Sequence, residues 1–335
     1  MTNKIFKKKE AQNIGPHSYQ EKKLFTIPFI VAIIITISLA IISLLTGVYD
    51  ISGEFGKEMF FITRIPRTAS LMLTGSAMAI SGVVMQLLTQ NKFVEPTTTG
   101  TIEWAGLGIV CAYIFKSDAS LMFRMGFAIL FSFCGTMIFF LFMRKIKLKS
   151  SLIVPIIGIM IGAVVSSIST FVGLVFNMTQ SLEVWFAGSF SSVQRGRYEY
   201  LFFIIIITIV IFLIADRLTI AGLGEDVATN LGLDYNRIIL LGTSLVSLAV
   251  GVVAAVIGNL PFLGLIIPNL VSIFRGDDLR SNLPWVCLMG MIATTSADII
   301  SRTIIMPFEV PVSLILGTVG AAVFIGLILY KRRRV

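Results

Sequence analysis

The chain has 335 residues, 56% of them hydrophobic and only 13% charged, and it carries a net charge of +9. A soluble domain holds about 25% charged residues, so this composition excludes an ordinary water-soluble fold. A single histidine, His17, removes most histidine-based catalysis and transition-metal binding. No phosphate-cradling G-x-x-x-x-G-K-[ST] string occurs, so energy from ATP would have to come through a partner.

In chain order, residues 1–23 form a basic tail with Lys4, Lys7, Lys8, Lys9, Lys22 and Lys23. The apolar run behind it, 24–46, is too long for a signal-peptide core and lacks a small-residue cleavage site, so it reads as a retained first span. Further apolar runs follow at 60–89, 97–115, 119–143, 152–176, 198–215, 237–258, 283–302 and 309–330. Runs of about 20 apolar residues cross a hydrocarbon core as helices. A shorter amphiphilic run, 264–275, suits a half-span or re-entrant helix. The expected fold is therefore an all-α, polytopic membrane protein with ten helical elements. One transmembrane domain covers 24–330, both termini lie on one side, and a basic tail closes the chain at 331–335. Cys111, Cys134 and Cys287 fall inside apolar runs, where thiols behave as small hydrophobes and give neither a disulfide framework nor metal spacing.

With the termini in the cytoplasm, 19 of the 27 Lys and Arg lie on the inner side, as the positive-inside rule expects. Basic residues beside spans report orientation in a lipid bilayer, not nucleic-acid binding. Arg64 and Arg67 flank Ile65-Pro66 at the head of the second span and fall on the outer side. Guanidinium groups there can hold carboxylates of a partner. They can equally snorkel at the interface, with Arg302 paired to Asp298 at i, i+4. Pro66 is expected to fix the helix start between the two arginines.

The longest polar insert, 216–237, reads as one or two short helices broken by Gly222, Gly224 and Gly232, with Glu225 and Asp226 near a helix start. Gly158, Gly162, Ser166 and Thr170 repeat at i+4, a stripe that marks close helix packing. Glu103 lies within the third run; an intramembrane carboxylate is a functional candidate, or an end-of-helix group reaching water or a neighbour.

Four stretches carry a resemblance over nearly all of 24–334: "RIPRTASLMLTGSAMAISGVVMQ" (64–86), "GLGEDVATNLGLDYNR" (222–237), "PFLGLIIPNLVSIFRGDDLRSNLP" (261–284) and "ADIISRTIIMPFEVPVSLILGTVGAAVFIGLIL" (297–329). In order and spacing they resemble the FecCD-type permease subunits of ABC importers for iron chelates and cobalamin. The resemblance implies a ten-helix type II permease that pairs with a second permease subunit, the same chain or a related one. It further implies two ATPase subunits carrying ATP-Mg, and an extracytoplasmic substrate-binding protein or lipoprotein. On this reading the chain itself binds no cofactor and no metal and has no catalytic residue. Gly222, Gly224, Glu225, Asp226, Leu231, Gly232 and Tyr235 would meet the ATPases. Arg64, Arg67 and Arg302 would face acidic residues of the docked binding protein. Ser166, Ser167, Ser169 and Thr170, with Glu103, would be candidates to line the passage.

Two departures from the family pattern stand out. Asn269 replaces the usual His after Pro268, and "NKFVEP" (91–96) replaces "NPLAEP" while keeping Asn91, Glu95 and Pro96. The implied cargo is an iron–siderophore complex, with haem or cobalamin as the alternative on the same scaffold. An ion-coupled secondary transporter would need several intramembrane carboxylates, and only Glu103 and Asp298 are available. A membrane enzyme would need a clustered acid, base or metal set, and none is present.

Overall fold

A computed structural model describes residues 26–47, 56–145 and 153–332. The basic tail at 1–23, Lys147, Lys149 and residues 333–335 lie outside it. The expected ten elements all form. They are α1 (Ile27–Leu45), α2 (Gly56–Leu88), α3 (Thr101–Phe115), α4 (Leu121–Lys145), α5 (Ile153–Val175), α7 (Phe203–Leu213), α10 (Tyr235–Val256), α11 (Leu263–Arg275), α12 (Leu279–Thr303) and α13 (Val312–Arg332). Three short helices sit in the connections: α6 (Thr179–Phe186), α8 (Ala215–Ala221) and α9 (Glu225–Asn230). The described helices thus number thirteen where ten were expected, because the longer connections are themselves helical. Six of the described helices are long and apolar enough to cross a membrane, and residues 198–213 with α8, bent by 63°, are apolar enough to make a seventh if the two act as one span. The chain is a multi-pass membrane protein.

Helices α2 and α10 form the centre, with 72% and 78% of their spans buried, against 22% for α1 and 33% for α5. Close crossings need small residues where lipid tails compete with side chains for packing. Gly75 of α2 lies against Gly290 of α12, and Gly82 lies against Gly264 of α11. A Cβ at either α2 position would overlap the facing backbone. The same logic explains the first half of the stripe on α5, whereas Ser166 is half-buried and Thr170 exposed. Gly158 packs on the backbone of Thr98 and Thr99, and Gly162 on Gly100.

Pro66 does not start a helix. The α2 helix begins at Gly56 and passes through a π-helical turn at Phe60–Arg64 just before Pro66. Proline has no N–H to donate to the carbonyl of Ile62, and a widened turn is a common way to absorb such a break. That carbonyl accepts instead from the backbone N–H of Arg195, at 3.0 Å.

The third span also starts later than its apolar run. Thr97, Thr98 and Thr99 turn their hydroxyls back onto the carboxylate or carbonyl of Glu95, a local bonding pattern that competes with the helical one. Gly100, at φ +78°, then opens α3.

Candidate functional site

The bundle has two chemically different ends. One, here the arginine end, carries the C-termini of α1, α3, α5 and α12. The other, the loop end, carries α8, α9 and the C-termini of α2 and α11.

At the arginine end, Arg67 donates from Nη2 to Asp298 Oδ1 at 2.7 Å and from Nη1 to Glu309 Oε1 at 2.9 Å. Its Nε also reaches Asp298 Oδ1, at 3.1 Å. Arg302 Nη2 lies 2.7 Å from Asp298 Oδ2, paired by charge but not aligned as a hydrogen bond. The Asp298 side chain has no exposed surface, and those of Arg67 and Arg302 are 12% and 6% exposed. Arg302 also donates to the carbonyl of Thr46 and to Ser43 Oγ. Arg64, buried, donates to the carbonyls of Leu44 and Leu45. Two cations therefore satisfy carbonyls at the C-terminus of α1, where the helix dipole favours positive charge.

All three expected docking arginines lie together at this end, and each is engaged by partners within its own chain. The Arg302–Asp298 pair was legible at i, i+4. The part played by Glu309 was not.

At the loop end the expected contact residues divide. Gly222 packs against Leu87 and Gly224 lies by Gln90, both near the end of α2. Tyr235 is half-buried and packs on the hydrophobic core. Glu225, Asp226, Leu231 and Gly232 face solvent. Leu223, Val227 and Leu231 are 61%, 41% and 62% exposed, an apolar stripe that runs from the turn before α9 to its C-terminal cap. Sequence reasoning missed Leu223 and Val227; two apolar residues inside an otherwise polar insert were the available signal. Gly224 (φ +111°) and Gly232 (φ +81°) flank α9 in backbone conformations that favour glycine. Beneath the loop lies a cavity of about 260 Å³ bordered by Gly222, Leu223, Gln86, Gln90 and Asn282.

The candidate pathway residues also divide. Ser169 is fully buried, Ser166 half-buried, and Ser167 and Thr170 exposed. Ser167, Ser169 and Thr170 all donate back to carbonyls of their own helix. Glu103 is in the first turn of α3, near Gly162 of α5, with a buried Oε2 that has no hydrogen-bond partner. The first turn of a helix is where a carboxylate suits the helix dipole. Asn269 donates to the carbonyls of Lys92 and Leu265, tying α11 to the 89–100 connection.

Two polar ends joined by a central bundle with a half-length helix are the build of a transport permease. The comparisons agree. A metal-chelate-type ABC transporter solved in an inward-facing conformation superposes with a TM-score of 0.78 at 25% identity, covering 90% of this chain and 98% of that one. The FecCD transport family matches residues 24–331, and the chain belongs to it. The petrobactin import system permease FatD of Bacillus anthracis is 67% identical over 325 residues, 96% of this chain and 97% of that one. The petrobactin import system permease YclN of Bacillus subtilis is 39% identical, covering 89% and 97%. The ferric-anguibactin transport permease FatD of Vibrio anguillarum is 41% identical, covering 80% and 85%.

Proposed function

We propose that this chain is the membrane-spanning permease of an ATP-driven importer for iron–siderophore complexes, of the petrobactin class. The observation that carries this reading is 67% identity to a petrobactin permease along almost the full length of both chains. The chain itself has no catalytic role. ATP-Mg is bound and hydrolysed by two separate ATPase subunits that seat on the loop end, against Glu225, Asp226 and the Leu223–Val227–Leu231 stripe. Gly222, Gly224 and Tyr235 pass their movement to α2 and α10. Both termini are cytoplasmic in a bacterial cell membrane, a placement supported by the excess of Lys and Arg at the loop end.

A substrate-binding protein docks at the arginine end. Arg64, Arg67 and Arg302 serve it by holding the ends of α1, α2 and α12 as one surface, with Glu309, 31% exposed, as its solvent edge. A second permease copy or relative faces the open side of α5, where Ser167 and Thr170 give an uncharged polar lining. Ser166, Ser169 and Glu103 sit behind that lining.

The test is uptake of radiolabelled ferric petrobactin, haem and cobalamin in cells lacking this chain. Ferric petrobactin uptake is expected to be lost and cobalamin uptake to be retained. The opposite pattern would assign the permease to another cargo.

A further inference from the structure

At the arginine end, away from the Arg67–Asp298 cluster, a cavity of about 250 Å³ opens between the C-terminus of α3, the start of α4, α6, the 189–197 loop and the C-terminus of α10. Two of its walls carry cations. Arg124 stands over the ring of Tyr113 at 5.1 Å and donates from Nη1 to the Tyr113 hydroxyl. Its Nε is buried and has no hydrogen-bond partner. Arg197 reaches only the carbonyl of Ser192, at a long 3.4 Å. Neither arginine forms an ion pair among the described residues, in contrast to Arg67 and Arg302 nearby on the same end of the bundle.

The rest of the lining adds hydroxyl donors without adding negative charge. Ser189 and Ser191 border the cavity with Trp185, and no described lining residue is acidic. The carboxylates nearest in sequence are not among the lining residues. Glu199 accepts from the backbone N–H of Gly196, while Glu183 and Asp118 are exposed. Two arginines without ion-pair partners and flanking hydroxyls, all lining one cavity, offer the charge and N–H donors that a carboxylate or phosphate takes.

We propose that this cavity is an oxyanion site, taking a phosphate or carboxylate group on Arg124 and Arg197. The group can belong to a free anion or to the headgroup of an anionic lipid. Both present the same oxygens to the same two arginines. The site goes beyond the transport reading and does not depend on which chelate is carried.

The experiment uses the full-length chain purified in a neutral detergent, beside Arg124→Gln, Arg124→Lys and Arg197→Gln. Native mass spectrometry measures retention of phosphatidylglycerol against phosphatidylcholine, and tryptophan fluorescence follows titration with inorganic phosphate. Binding of at least one anionic probe is expected, weakened about tenfold by either Gln substitution, since a charge-assisted hydrogen bond is worth about a decade in affinity. Arg124→Lys, which keeps the charge and loses the fork, is expected to fall between. Selective retention of phosphatidylglycerol alone identifies a lipid headgroup, and a response to phosphate alone identifies a free anion. If Arg124→Gln fails to fold, Arg197→Gln on the loop decides. Binding of neither probe, or binding unchanged by Arg197→Gln, overturns the proposal.

Discussion

At the arginine end, Arg67 and Arg302 share Asp298, a carboxylate with no exposed surface. At the loop end, Glu225 and Asp226 face solvent, and neither forms an ion pair among the described residues. Both regions are charge-bearing segments that the sequence marks as candidate contact sites. Their charges do different physical work. In the first region charge closes the protein on itself, joining α1, α2 and α12 with the 304–311 connection. In the second, Asp216 and Asp234 pair with Arg280 and Arg237, while Glu225 and Asp226 are left available to water or to another protein. A charged motif at a membrane mouth is therefore not a docking patch by composition alone; what decides is whether its partners already lie within the chain.

The sharpest way to break this contrast is Asp298→Asn. It keeps the shape but removes the charge that two buried arginines share, and breaking a buried pair costs about 3–5 kcal/mol. The detergent-purified variant should unfold at a clearly lower temperature or fail to accumulate. The double change Glu225→Gln with Asp226→Asn should stay within about 0.5 kcal/mol of the parent, as exposed substitutions do. Equal stability of Asp298→Asn and the loop variant would remove the difference between the two ends.

How far these features could be read beforehand depended on sequence distance. The ten elements follow from apolar runs, and the Asp298–Arg302 pair from helical spacing. Arg67 finds Asp298 across 231 residues and Glu309 across 242, which no local period reveals. The glycines of α5 were legible as packing because i+4 positions share one face. The hydroxyl group at 166–170 was not legible as one lining, because successive helical residues turn by about 100° and cannot all face one way. Tyr235 looked like a surface contact because the loop around it is polar. It sits at the first turn of α10, whose phase turns its ring toward the core. Leu223 and Val227 went unnoticed because two leucines and a valine in a short polar loop look like ordinary scatter until their exposure is known.

A smaller effect sharpens the loop side. Gly224 adopts φ +111° and ψ +162°, a region that is essentially glycine-only and costs other residues about 1–3 kcal/mol. Gly232 has φ +81° with open space where a Cβ would go, so alanine there carries only a left-handed penalty of about 1–2 kcal/mol. In a reconstituted assembly, Gly224→Ala should reduce ATP-coupled uptake more than Gly232→Ala does. The reverse order would shift the coupling contact toward the C-terminal side of α9.

The smallest change to the fold, and the most discriminating for the interface, is at the apolar stripe. Leu231→Ser truncates a side chain that is 62% exposed, so thermal stability should move by less than about 0.5 kcal/mol. If the stripe seats on an ATPase, that same side chain becomes buried in the assembly. Truncating a well-buried interface anchor costs roughly 1–2 kcal/mol, or about tenfold in affinity. Co-purification with the ATPase subunit should therefore weaken while the isolated chain melts as before. Val227→Ser should act in the same direction and more weakly, because less of its surface is free to be covered. Unchanged co-purification in both variants would leave Glu225 and Asp226, not the apolar stripe, as the part of the loop that the partner grips.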